Sequence, residues 1–262
     1  MKGLLVGYFV VLGVAWVAAA PRTQPAAAAQ PAKKTARPVP FAPGETLTYD
    51  VSWSSYVTAG SATLSVIEKK PSYGSEAYYI AAEGRPTPLL SKLYDLYYKV
   101  DTLLDVSTLL PQRASTYSRE GRRQRMKVTM FDQAAKKAHY EVQAGTVVQK
   151  DLAIPANTQD ALSSIYVLRA SALKQGNTFV MPVSDSGETY TVQMEVGAVE
   201  PVSTGIGQIR AWKITPVLPS ADAGGARRLT LWVSDDPRRL PVRLQAQLAV
   251  GSFDLTLRAA TR

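Results

Sequence analysis

From Thr46 onward the chain repeatedly alternates apolar and polar residues one for one. In the first such run Leu47, Tyr49, Val51 and Trp53 fall on one face and Thr48, Asp50 and Ser52 on the other, the period of two of an extended strand. Similar runs follow at 61–68, 76–82, 96–103, 111–120, 125–131, 137–142 and 146–152, then at 178–183, 189–199, 207–217, 229–234, 241–250 and 252–258. Glycine, proline and aspartate separate most of them, as in successive hairpins. One helix interrupts the series. Around 160–172, Leu162, Ile165, Tyr166, Leu168 and Leu173 recur at three- and four-residue steps. Asn157, Thr158 or Asp160 can cap its start, and Lys174, Gln175 and Gly176 can end it. A short helical turn is also expected at 89–94. Around a dozen strands exceed what an open sheet holds without curling. The expected fold is therefore mainly β: an antiparallel, strongly curved sheet, as a barrel, half-barrel or two-sheet sandwich, with one substantial helix.

Ahead of these strands, Met1-Lys2-Gly3 opens onto an uncharged stretch at 4–20 rich in Leu, Val and Ala, the charged start and apolar middle of a secretory signal. A cut before Ala20 or before Gln30 satisfies the small-residue rule, whereas a cut after Ala20 would leave Pro21 beside the cleaved bond. The alternative is a retained anchor, since the stretch approaches the roughly 20 residues that span a bilayer. Residues 21–40 hold five prolines, many alanines and no periodic pattern, which reads as an extended tether. The expected organisation is a signal peptide or anchor at 1–20, a Pro/Ala-rich linker at 21–40 and a single β-rich domain at 41–262. That domain is expected in the periplasm, with membrane contact only through residues 4–20 if they are retained.

The chain has no cysteine, which removes disulfides, thiolate nucleophiles, iron–sulfur sites and an acylated lipoprotein cysteine. A single histidine, His139, rules out a multi-histidine metal centre. No metal or other cofactor is implied. The formal charge is +9, but five of the 30 basic residues and none of the 21 acidic ones precede Phe41. The remaining +4 falls short of the concentrated positive field that nucleic acid requires, so nucleic acid is not an expected partner.

Several patterns carry candidate chemistry. The densest charge is Arg122-Arg123-Gln124-Arg125-Met126-Lys127. Alternation puts Arg123, Arg125 and Lys127 on one face of a strand and Met126, Val128 and Met130 on the other. They read either as a solvated edge that resists pairing or as a cradle for anionic headgroups or acidic envelope polymers. Tyr94, Tyr97 and Tyr98 form the richest aromatic segment. They either pack in the core or grip an amphiphile with their rings while their hydroxyls meet its polar end. Ser171 and Lys174 have a spacing used in some acyl-transfer enzymes, without the companion motifs and at the wrong end of the helix. Asp235 and Asp236 read as a hairpin connection, Pro43-Gly44-Glu45 as a turn into the first strand and Gly205-Ile206-Gly207 as a loop.

Three segments taken together resemble an exported bacterial family catalogued as domain of unknown function 3108. They are the stretch from Phe41-Ala42-Pro43-Gly44-Glu45 through Tyr49 and Trp53 to Ala59-Gly60, then Asp160-Ala161-Leu162-Ser163-Ser164-Ile165-Tyr166-Val167-Leu168-Arg169, and Leu231-Trp232-Val233-Ser234-Asp235-Asp236-Pro237-Arg238-Arg239-Leu240-Pro241-Val242. The resemblance implies export and a β-rich fold and brings no catalytic residues. The last segment is also similar to the terminal strands of periplasmic lipoprotein-carrier half-barrels, which hold acyl chains inside a curved sheet.

Three functions are compatible with these readings. The first is a non-enzymatic envelope-maintenance protein that binds a lipid-like or polymeric ligand such as a lipid or glycan. Tyr94, Tyr97, Tyr98, Arg123, Arg125 and Lys127 are its candidate contacts. The second is a module that binds another envelope protein through a sheet edge or the basic hairpin. The third is a cofactor-free hydrolase built on Ser171 and Lys174 or on a carboxylate pair.

Overall fold

A computed structural model of the protein describes residues 35–54, 57–93, 95–217, 228–248 and 251–261. The expected signal segment, most of the linker and Tyr94 lie outside the described residues. What is described belongs to one compact unit.

Among the described residues, fourteen strands follow one another with two helices between them. The first group is β1 (Thr46–Trp53), β2 (Val57–Ser72), β3 (Ser75–Pro86), α1 (Pro88–Leu93), β4 (Leu96–Asp105), β5 (Pro111–Glu120), β6 (Arg123–Asp132), β7 (Lys137–Ala144) and β8 (Thr146–Ala153). The second is α2 (Ala161–Arg169), β9 (Thr178–Asp185), β10 (Glu188–Thr204), β11 (Gly207–Val217), β12 (Arg228–Ser234), β13 (Pro241–Leu248) and β14 (Gly251–Thr261). Each alternating run is a strand, many of them longer than the alternation alone marks out.

The strands make one antiparallel sheet in the order β8-β7-β6-β5-β4-β3-β2-β1-β14-β13-β12-β11-β10-β9. Every neighbour in space is a neighbour in sequence, except that β1 pairs with β14 and thereby joins the two halves. This corrects two of the expected forms. Among the described residues the sheet is not closed, because β8 and β9 do not pair, and it is one sheet rather than a two-sheet sandwich. It also corrects the reading of Arg123, Arg125 and Lys127 as an edge: β6 is paired on both sides, with β5 and with β7.

α2 joins the two outermost strands. Asp160 starts it by accepting the amides of Leu162 (2.8 Å) and Ser163 (3.0 Å), while the Ser163 hydroxyl accepts the Asp160 amide at 2.9 Å, a reciprocal cap that satisfies otherwise orphaned donors. The helix stops at Arg169, with Ala170 as its C-cap, short of the expected 172. Leu173 beyond it is nevertheless buried. The apolar spacing that suggested a longer helix therefore marks burial that continues past the last turn.

α2 packs against both β4 and β9 and divides the core in two. Leu162 and Tyr166 join Phe41, Leu47, Tyr49, Leu64, Val66 and Ile80, whereas Leu168 and Leu173 join Met181, Val183, Val192 and Met194. The sheet face that carries these residues is called the inner face below. Two further contacts bring residues near the two ends of the strand order together. Gln159 bridges to Val183 in β9, and the Lys127 ammonium donates to the Ser186 hydroxyl at 2.7 Å. Gly187 makes that approach possible: it has φ +79, and a Cβ there would stand 2.8 Å from the Tyr140 ring.

Candidate functional site

The three segments that suggested a family converge on one buried arginine. The Arg169 side chain is wholly buried and makes a two-pronged ion pair with Glu45, at 2.6 and 2.9 Å. It also donates to the carbonyls of Arg239 (3.0 Å) and Arg238 (3.2 Å) and lies over the rings of Phe41 and Tyr166. Tyr49 ties the first segment to the third through a 2.8 Å hydrogen bond from its hydroxyl to the Pro241 carbonyl. Burial pushes the Tyr49 hydroxyl far above its ordinary value, with Tyr166 and Glu45 adding to the rise and Arg169 opposing it. No donor or acceptor of this cluster is offered to solvent, so the arrangement fastens the fold.

The opposite ends of the same strands are different. Registers place Leu244, Leu255, Val51, Gly60 and Pro86 in one cross-strand row, and Leu229, Ala246, Phe253, Trp53 and Val57 in the next. Leu255, Ala62, Ala82 and Val100 pack against the core cluster, which puts these alternate positions on the inner face. Yet Trp53 is 41% exposed and Val57 58%, and the Trp53 ring leans on Phe253 at 5.3 Å between centroids. Over Gly84, in line with Ala62 and Tyr98, a Cβ would meet nothing within 4 Å. Here the inner face is an apolar surface that α2 does not cover.

A third row runs from Tyr49 through Ala62, Gly84, Tyr98 and Ser118 to Arg125. It leads from the apolar surface to the cationic strand, and Leu96, Glu120 and Arg123 continue it nearer the rim. Arg123, Arg125 and Lys127 do share a face, and it is the inner one: Lys127 and Thr129 line a cleft with Tyr140, Asp160, Ser184 and Ser186. Tyr97 and Tyr98 point to opposite faces. Tyr98 is on the inner row, 39% exposed, with its hydroxyl donating to Glu120. Tyr97 belongs to the outer layer, beside Tyr117 and under Arg85. Burial raises its hydroxyl's pKa and a hydrogen bond with Glu83 adds to that.

The cleft at Lys127 holds about 40 Å³, against roughly 300–1,000 Å³ for a small-molecule pocket. Its floor is Asp160, whose carboxyl is raised by burial despite hydrogen bonds from Ser163, Thr102 and Leu162. Every lone pair of use there serves the helix cap or Thr102.

The remaining candidates have structural occupations. Ser171 donates to the Val167 carbonyl at 2.7 Å, and no hydrogen bond joins it to the exposed Lys174 among the described residues. Asp236 accepts the Arg238 and Arg239 amides and the Ser234 hydroxyl, and Asp235 accepts the Trp212 indole N–H. His139 pairs with Asp151 at 2.7 Å on the outermost hairpin, and Gly205 lies in the turn between β10 and β11. Among the described residues no cluster of three or more metal-ligating side chains forms, and no helix is long and apolar enough to cross a membrane.

Sequence reasoning missed Arg169 and the Trp53–Phe253 surface. The signal for the second was present, since alternation already placed Trp53 with Tyr49 and Val51; what it lacked was the pairing of β1 with β14.

Fold and site define a β-barrel-like protein: an open, single antiparallel sheet with a helix against its inner face and an uncovered apolar surface running into a cationic strand. The chain belongs to the family DUF3108, described as a protein of unknown function, whose model matches residues 48–258. No curated protein matches it. Among solved structures, a β-barrel-like protein of the domain of unknown function DUF1849 from Brucella abortus aligns with a TM-score of 0.50 at 10% identity, over 82% of this chain and 96% of that one. A candidate exported protein with a YmcC-like fold from Bacteroides fragilis aligns with a TM-score of 0.34 at 12% identity, over 87% of this chain and 100% of that one. The first likeness is one of fold.

Proposed function

We propose that this chain is an exported cell-envelope protein that holds an amphiphile, without turning it over, on the concave inner face of a strongly curved half-barrel. The observation that carries this reading is the contrast along the inner face. One end is filled by α2 and the Arg169 cluster, while at the other end Trp53 and Val57 are exposed, the Trp53 ring leaning on the half-buried Phe253. A soluble domain that leaves a contiguous apolar surface uncovered commonly uses it to bind. Strong curvature is supported by α2 packing on both β4 and β9, by the bridge from Gln159 to β9 and by the reach of Lys127 in β6 to the β9–β10 turn. Export rests on the apolar stretch at 4–20 behind Lys2, and the periplasm is the compartment it favours.

The test is binding of N-phenyl-1-naphthylamine, a neutral apolar dye, followed by energy transfer from tryptophan. Saturable binding is expected, weakened at least about tenfold in Gly84→Phe, because the new ring occupies the open space above that strand. The melting temperature of the variant should stay near that of the parent. Absence of dye binding, or equal binding by Gly84→Phe, contradicts the reading.

A second reading has an observation of its own. β8 is an outermost strand, nearly all exposed, with Val147 and Val148 bare, and such an edge can accept a strand from another envelope protein. Replacing both valines with lysine would abolish cross-linking to such a partner and leave dye binding intact; cross-links that persist would exclude this edge.

A further inference from the structure

The cationic strand gives the amphiphile a headgroup. Arg123 and Arg125 are exposed on the inner face of β6 and make no ion pair or hydrogen bond among the described residues. Their neighbours are otherwise engaged. Lys127 donates to Ser186, Glu120 accepts the Tyr98 hydroxyl and Arg119 pairs with Asp95. Arg125 also acts on Tyr140, lowering a hydroxyl pKa that burial and Asp185 raise. Arg122, at the turn before β6, is exposed as well. Glu120 is therefore the one carboxylate in a segment that carries Arg122, Arg123, Arg125 and Lys127.

The row through Gly84, Tyr98 and Ser118 connects these arginines to the apolar surface. From Trp53 in β1 to Arg125 in β6 is five strand spacings, roughly 24 Å of sheet at about 4.8 Å each. An apolar surface that is followed, across Tyr98 and Ser118, by two guanidinium groups without an ion pair among the described residues is complementary to one kind of ligand. We infer that the ligand is an anionic amphiphile, with its aliphatic tail along Gly84, Val51, Trp53 and Phe253 and its phosphate, sulfate or carboxylate head between Arg123 and Arg125. This rests on the amphiphile reading above and adds the charge and the orientation. Guanidinium groups suit it because they offer paired donors to an oxyanion and are more weakly hydrated than ammonium groups.

The experiment keeps the tail constant and changes the head. The purified protein is titrated calorimetrically with dodecyl phosphate, dodecylphosphocholine and inorganic phosphate, the detergents below their micelle concentrations. Dodecyl phosphate should bind at least about tenfold more tightly than dodecylphosphocholine, and the difference should shrink as salt is raised. Arg123→Gln/Arg125→Gln should bring dodecyl phosphate down to the dodecylphosphocholine level and leave dodecylphosphocholine binding and the melting temperature unchanged. Equal binding of the two detergents, or a preference that survives the double substitution, overturns the headgroup inference while the amphiphile reading stands. Inorganic phosphate binding as tightly as dodecyl phosphate overturns it too, since the tail then contributes nothing. If neither detergent binds, the amphiphile reading falls and this inference falls with it.

Discussion

Arg169 shows how one side chain can hold remote segments together. Its partners come from before β1, from α2 itself and from the loop ahead of β13. Removing it alone leaves the Glu45 carboxylate buried without a counter-charge, which costs about 3–5 kcal/mol. Arg169→Met should therefore lower the denaturant midpoint sharply, and the double variant Arg169→Met/Glu45→Leu should recover a large part of the loss, because no orphan charge remains. Additive losses in that cycle would contradict the clamp. Asp105 gives a pH-dependent counterpart. Burial pushes its carboxyl up, but hydrogen bonds from Ser75, Ser107 and Thr108 outweigh this and bring it down to about 2, from an ordinary 3.8. A carboxyl held low stabilises the fold above its unfolded value and loses that contribution as pH falls through its folded one. The gap in denaturation midpoint between the protein and Asp105→Asn should be widest above about pH 4 and narrow toward pH 2; a gap independent of pH would refute the assignment. Neither role was legible in the sequence. An arginine in the last turn of a helix and an aspartate at the end of a strand are each ordinary there, and their importance comes from partners far away in the chain.

At the scale of elements the sequence was far more informative. Every strand declares itself by alternation, and β1, β5 and β11 have the limits that alternation marks, because a half-buried strand must sort its residues between two environments. α2 was recognisable by spacing and cap, but its end was misjudged because Leu173 is buried by the β9–β13 core rather than by helix packing. The separators predict successive hairpins, and within each half the strands do follow that order; the joining of the two halves at β1 and β14 was not legible. Arg123, Arg125 and Lys127 look like edge residues by their charge, but the hairpin from β6 into β7 pairs that strand on its second side. Gly60 is an element-scale test of how closely β2 and β3 approach. A Cβ there would stand 2.2 Å from the Arg85 carbonyl oxygen, a backbone atom that cannot turn aside. Gly60→Ala should destabilise the protein by about 1–3 kcal/mol and accelerate amide exchange along β2 and β3 first. Unchanged exchange there would mean that the strands separate without cost.

The whole molecule is a meander cut open in the middle of its order: the two chain halves meet at β1 and β14, while β8 and β9 are left at the outside. The β1–β14 pairing matches residues about 200 positions apart, such as Thr46 with Thr261, and loop closure over that separation leaves no signature in composition or spacing. It is also what assembles the apolar surface, since Trp53 and Phe253 come from opposite ends of the domain. The surface was therefore half-visible in the sequence, as one face of β1, and became a candidate site only when its neighbour arrived. The most direct measurement is native mass spectrometry of the protein purified from the cell envelope without detergent, with lipid extraction of the same sample. A stoichiometric amphiphile, displaced by Gly84→Phe, is the expected result. A bare protein mass, from a preparation whose inner face still fails to take up added dodecyl phosphate, would contradict it.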